Sequence, residues 1–231
     1  MTFRSVIKLV IALLVFQFTF SQNNDSIRKT NNTPIKRSFF YDDARQKSYS
    51  IEYSFQYPIS HGNNFIGEAY DGKNGYSLRL KLFVYKQLFL GYNQSGSNFD
   101  VSNTALVGNY SSTRTYERFF YVGYELLPFS RVRLGLYTSF AEKITFINSV
   151  NTTSDNKDTG DMWVYGVYLD YEIIKNLSFF IDYSFREVNT NIMAPAELQS
   201  FFSGGNYNTI NFGIRYAVGN ESVLKAMRIV K

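Results

Sequence analysis

The stretch Leu177-Ser178-Phe179-Phe180-Ile181-Asp182-Tyr183-Ser184-Phe185-Arg186 decides the fold of this chain. Leu177, Phe179, Ile181, Tyr183 and Phe185 fall on one face of a strand, while Ser178, Phe180, Asp182, Ser184 and Arg186 fall on the other, because side chains alternate across a pleated backbone. The last such stretch repeats the pattern, with Ile210, Phe212, Ile214 and Tyr216 opposing Asn211, Gly213 and Arg215. A sustained period of two excludes a helix, whose apolar positions recur every three to four residues.

Working outward, the same alternation marks strands at 49–57, 75–84, 88–95, 114–126, 131–140, 161–173, 177–188 and 207–218. The connections between them run to about 17, 3, 18, 4, 20, 3 and 18 residues, the rhythm of a barrel with tight turns at one end and long loops at the other. A closed sheet that turns its apolar face to lipid and its polar face inward satisfies every backbone group. A soluble barrel needs the reverse, apolar inside. The expected fold is all-β, an eight-stranded antiparallel up-and-down transmembrane β-barrel over 48–218.

Composition agrees. The chain holds 19 Tyr and 22 Phe against one Trp and 4 Pro, and aromatic residues favour strands and bilayer interfaces. Mean hydropathy is negative, which argues against a helical membrane protein, whereas a barrel needs only every second strand residue to be apolar. There is no Cys, which removes thiolate catalysis, cysteine-held metals and a lipid-anchored N-terminus.

Residues 1–21 read as a cleavable signal peptide, with Arg4 and Lys8 ahead of an apolar run from Leu9 to Phe20 that is too short to span a bilayer. Its removal takes the net charge from +5 to +3, too mild to argue for nucleic acid. Residues 22–47 form a polar lead-in whose one apolar patch, Phe39, Phe40 and Tyr41, is expected to dock at the barrel rim. Residues 219–231 form a short tail with Val223, Leu224, Met227 and Val230 at helical spacing.

The pattern resembles the small outer-membrane barrels of the OmpA and OmpX type over about 49–218, in its eight amphipathic strands, in aromatic strand ends such as Tyr76, Tyr92, Trp163 and Tyr171, and in the final strand. That resemblance implies export to the Gram-negative outer membrane, with the tight turns facing the periplasm. It carries little about function, because the architecture hosts adhesins, lipid-modifying enzymes and structural anchors.

Strand parity places an interior charge network of six acids, Glu52, Glu117, Glu125, Asp170, Glu172 and Asp182, against six bases, Arg79, Lys81, Arg131, Arg133, Arg186 and Arg215. A barrel of this size is only wide enough for its own inward side chains, so these charges are expected to interlock and fill the lumen. The one histidine, His61, adjoins Ser60 near Glu68 and Asp71, the residue types of a hydrolytic triad; a solvated loop histidine is the simpler reading. Asp155, Asp158 and Asp161 are weak calcium candidates, with hard oxygen ligands but not the EF-hand spacing. In the fourth long loop Ile192, Met193, Leu198, Phe201 and Phe202 put apolar bulk outside the membrane, as a contact site or as a lid over the mouth.

The expectation is thus a monomeric, non-enzymatic barrel with a filled lumen and no cofactor, in contact with outer-membrane lipids and serving a structural or surface-interaction role through an extracellular or envelope protein partner. The alternatives are a lipid A or phospholipid hydrolase or acyltransferase, and a narrow pore or membrane subunit of a secretion or transport assembly.

Overall fold

A computed structural model describes residues 39–150 and 154–230. The expected signal peptide and most of the lead-in lie outside the described residues.

Eight strands, β1 (Tyr49–Ser60), β2 (Tyr70–Tyr85), β3 (Leu88–Val101), β4 (Ser112–Phe129), β5 (Val132–Val150), β6 (Ser154–Ile174), β7 (Leu177–Thr190) and β8 (Gly204–Val218), close into one barrel. Each pairs antiparallel with its chain neighbour, and β8 returns to β1 in continuous register from Tyr49 opposite Val218 to Ser60 opposite Tyr207. Closure pairs both edges, which is what lets a sheet sit in lipid. In β1, Tyr49, Ile51, Tyr53, Phe55 and Tyr57 point outward and Ser50, Glu52, Ser54 and Gln56 are buried. The tight turns at 86–87, 130–131 and 175–176 lie at the same end as the start of β1 and the end of β8. Two of them need left-handed backbone, at Lys86 (φ 50°) and Asn176 (φ 73°), and asparagine tolerates that region better than most residues.

The strands run further than the alternation of hydropathy. β2 begins at Tyr70, β3 continues to Val101, and β5 and β6 form a long hairpin of 19 and 21 residues. Above the lipid the outward face no longer has to be apolar, so the alternation disappears while the backbone ladder goes on. Polar cross-strand pairs take its place: Asn98 Nδ2 donates to Asn74 Oδ1 at 2.6 Å, Arg114 Nε donates to Asn98 Oδ1 at 3.0 Å, and Lys73 meets Asp100 at 3.2 Å. Much of what hydropathy assigns to loops is therefore β-sheet.

The interior is less uniformly polar than parity alone suggests. Phe89, Tyr121, Tyr137 and Tyr168 all point inward and are buried. Each lies directly opposite a glycine: Phe89 opposite Gly123, Tyr121 opposite Gly91, Tyr137 opposite Gly166 and Tyr168 opposite Gly135. A Cβ on any of these glycines would stand 2.0 to 2.3 Å from the facing ring. The missing side chain is the space in which the ring lies, an arrangement that fills a narrow lumen without splaying the strands.

Candidate functional site

Three layers occupy the lumen. At the turn end a segment from the lead-in crosses the mouth, with a 3-10 turn at Asp43–Arg45 capped by the Asp42 carboxylate. Its last residues reach three different turns. Arg45 donates to Phe129 O and Val132 O at 2.6 and 3.1 Å, Gln46 Nε2 to Lys86 O at 2.8 Å, and Lys47 Nζ to Asn176 Oδ1 at 2.6 Å. Burial and the neighbouring Arg133 bring the Arg45 guanidinium down to about 10. Phe39 and Phe40 meet the edge of β4 through their carbonyls, which accept from Leu127 N–H and Tyr124 OH. The tail also folds back here. A short helix at Val223–Ala226 carries Lys225, which pairs with Asp43 at 3.1 Å, and Ser48 Oγ donates to Glu221 O at 2.6 Å. The bonds from Tyr41 and Lys225 hold the Asp43 carboxyl below the usual carboxylate range, while burial and Asp43 push the Tyr41 phenol up to about 12.

The middle layer is ionic. Arg79 forms a two-pronged bond to Asp182, 2.8 Å on each prong. Glu125 takes Arg133 at 3.1 Å and Arg215 at 2.6 Å, and Arg215 also reaches Asp170 at 3.1 Å. Lys81 meets Glu52 at 2.5 Å and lies over the Tyr168 ring at 3.7 Å from its centre. Arg186 pairs with Glu117. Five acids and five bases are thus sealed inside, and each charge has an opposite neighbour, which a low-dielectric interior requires.

Two residues assigned to this network stand apart from it. Arg131 is exposed in the tight turn, because β4 runs on to Phe129 and leaves no strand position for it. Glu172 is half-buried at the turn-end rim, where its Oε1 accepts from Asn176 N–H at 3.3 Å. In their place are uncharged donors that a list of charges misses. Tyr207 OH donates to Glu117 at 2.7 Å, Tyr168 OH to Glu125 at 2.5 Å and Tyr137 OH to Asp182 at 3.3 Å, and Ser95, Ser97 and Thr115 also donate to Glu117. Thr115 and Tyr168 share strand parity with Glu117 and Asp170, and Tyr137 and Tyr207 with Arg133 and Arg215, which is the signal that would have found these four.

The third layer is apolar and fills the loop end. Helix α1 (Phe65–Ala69), whose first N–H groups are capped by Asn64 Oδ1 at 3.0 and 3.1 Å, dips into the mouth. Phe65 packs against Tyr70, Phe146 and Phe202 at ring separations of 6.2, 5.9 and 6.1 Å. Ile192, Phe201 and Phe202, the last two on a short helix at Gln199–Ser203, close over this cluster, whereas Met193 is 98% exposed and Leu198 47%. The fourth loop is therefore part lid and part surface.

The candidate chemistry does not assemble. His61 stacks on Phe185 at 6.1 Å, and among the described residues neither its Nε2 nor Ser60 Oγ has a hydrogen-bond partner, so the two do not form a serine–histidine pair. Glu68 and Asp71 are exposed. Asp158 and Asp161 lie on β6, three residues apart and so on opposite faces; the first accepts from Asn148 at 3.0 Å and the second pairs with Lys143 at 2.5 Å. The side chain of Asp155 lies outside the described residues. Among the described residues no three potential metal ligands cluster.

Closed sheet, outward apolar band and interlocked ionic lumen together define a small eight-stranded transmembrane barrel of the outer-membrane type. No family model matches the chain, and no curated protein matches it. Among solved structures it is similar to Neisserial surface protein A, with a TM-score of 0.51 at 11% identity, covering 73% of this chain and 96% of that one. Outer membrane protein OprG of Pseudomonas aeruginosa gives 0.48 at 12% identity, covering 76% and 99%. The attachment invasion locus protein Ail of Yersinia pestis gives 0.47 at 12%, covering 74% and 99%. At 11% identity the likeness to Neisserial surface protein A speaks to the fold alone.

Proposed function

We propose that this protein is a non-enzymatic barrel of the Gram-negative outer membrane that conducts no solute and holds a stiff, sheet-built rim outside the cell for contact with another surface molecule. The observation that carries this reading is the stacking of the mouth-crossing segment, the ionic layer and the apolar cap, each of which obstructs the same lumen. That His61 Nε2 and Ser60 Oγ find no hydrogen-bond partner among the described residues weighs against a hydrolase of the serine–histidine type. The extended hairpins and the protruding Met193 and Leu198 support a contact role, since exposed apolar groups on a rigid frame lose little entropy on binding.

Purified protein in planar bilayers tests the closed lumen: current steps no larger than the leak of the lipid are expected, and large stable steps would overturn it. Recovery of the protein with the outer-membrane fraction, and reaction of Met193→Cys with an impermeant thiol reagent on whole cells, test the placement and the orientation.

A further inference from the structure

On the outward wall a groove of 460 Å³ runs obliquely over β1 to β5, lined by Ile51, Leu80, Leu90, Tyr92, Phe120 and Phe140. Ile51, Leu80, Tyr92, Phe120 and Phe140 form one cross-strand row, each directly opposite the next. The row climbs. Ile51 lies near the turn end of β1, but Phe140 stands eight residues along β5 from Val132. At about 3.3 Å per residue and a tilt of about 45°, that is a height of roughly 19 Å.

The upper end of the groove is aromatic, with Tyr92 and Phe120 at 5.2 Å and Phe120 stacked on Phe140 at 6.0 Å. Directly above it the chemistry changes. Beyond the Phe120–Phe140 pair the next outward pair is Arg118 opposite Lys143, and the register shifts between the two pairs. Ala141, at φ 53°, sits in that shift. A bulge re-aims the side chains that follow it, and here it turns Lys143 outward beside Arg118 and places Ile144 inside. These cations lie at roughly 25 Å, the top of the apolar band.

Two like charges directly opposite one another on a sheet repel. Lys143 has Asp161 as partner at 2.5 Å, but among the described residues Arg118 has no acidic partner, and Arg114 above it bonds the neutral Asn98. Exposed cations standing over an apolar groove match a lipid whose headgroup carries phosphate, and the loop end faces the outer leaflet, where phosphate is borne by glycolipid.

We propose that this wall seats one phosphorylated glycolipid of the outer leaflet, with an acyl chain in the groove and a phosphate on Arg118 and Lys143. The site rests on the outer-membrane placement proposed above, and in vitro binding is separable from it: failure to fractionate with the outer membrane would sink the placement and leave the binding measurement standing.

The test is native mass spectrometry of the detergent-folded protein with three probes: bisphosphorylated lipid A, the same lipid with its phosphates removed, and phosphatidylglycerol. Bisphosphorylated lipid A is expected to stay bound, with retention falling at least tenfold in Arg118→Gln/Lys143→Gln and in Leu90→Trp, which fills the groove. Phe179→Trp, on the wall outside the groove, is expected to retain it. A gel-mobility shift on boiling checks that each variant is folded, and the single exposed Arg118→Gln serves if the double variant is not. Equal retention of the dephosphorylated lipid, of phosphatidylglycerol, or of lipid A by the folded charge variants would overturn the proposal.

Discussion

Tyr168 lies directly opposite Gly135 across the β5–β6 ladder, and a Cβ on Gly135 would stand 2.0 Å from its ring. The ring cannot retreat freely, because its hydroxyl donates to the buried Glu125 at 2.5 Å and its face carries Lys81. Gly135→Ala must therefore either break those contacts or splay the strands. A destabilisation of about 1–3 kcal/mol is expected from such overpacking, read as a lower urea midpoint for unfolding in detergent. Ser130→Ala, in an exposed turn, serves as the control and should leave the midpoint unchanged.

Glu117 and Arg186 meet at the centre of the barrel with no exposed side-chain surface on either. Arg186→Met removes the cation and leaves a carboxylate with hydroxyl donors alone. Breaking a buried pair in this way costs about 3–5 kcal/mol, so the variant should fold poorly or lose its resistance to unboiled gel loading. Adding Glu117→Gln removes the stranded charge and should recover part of the loss. No recovery would mean that the pair matters through packing and not through charge.

The depressed carboxyl of Asp43 makes the turn-end closure sensitive to acid. Because its folded-state value lies below its unfolded one, the stabilisation is present above the ordinary carboxylate value of about 3.9 and is lost as the pH falls through the depressed value. Amide exchange in 222–230 should accelerate in that acid window, while exchange in β1 to β8 stays slow. Asp43→Asn should produce the same acceleration at neutral pH.

How much of this was legible follows from what each residue faces. Where strands touch lipid, as in Leu177 to Phe185, the outward face must be apolar, and parity puts Glu117, Asp182 and Arg215 on the other face, where they are buried. Beyond the lipid that constraint ends, so the extensions of β2, β3, β5 and β6 carry no hydropathic signature and read as loops. Parity does not extend to Arg131, which lies in a turn. Calcium ligation by Asp158 and Asp161 assumed a loop in which both could converge, and in a strand they diverge. The glycine–aromatic pairs depend on register, which joins Gly166 to Tyr137 across strands and leaves no trace within either one.

His61→Ala should leave both folding and envelope lipid acylation unchanged, since the imidazole contacts Phe185 and no hydrogen-bond partner binds its Nε2. Lipid profiles of cells expressing the two forms check this. A change in acyl-chain number that follows His61 would restore the enzymatic reading.

The outer cap separates two roles that lie side by side in one loop. Phe202 packs on Phe65 of α1, and its carbonyl accepts from Thr190 Oγ1, so Phe202→Ala removes buried ring contact at the centre of the apolar layer. A loss of about 3–5 kcal/mol is the usual scale for such a truncation, reduced here because Phe202 is only partly buried. The β-ladder below does not depend on it, so the barrel should assemble while α1 becomes open to protease added from outside. Met193, by contrast, is 98% exposed. Met193→Ser should therefore leave protease resistance unchanged and weaken whatever surface contact intact cells make through this rim. If Met193→Ser alone exposes α1, or if Phe202→Ala leaves it protected, the division of the loop into lid and contact surface is wrong.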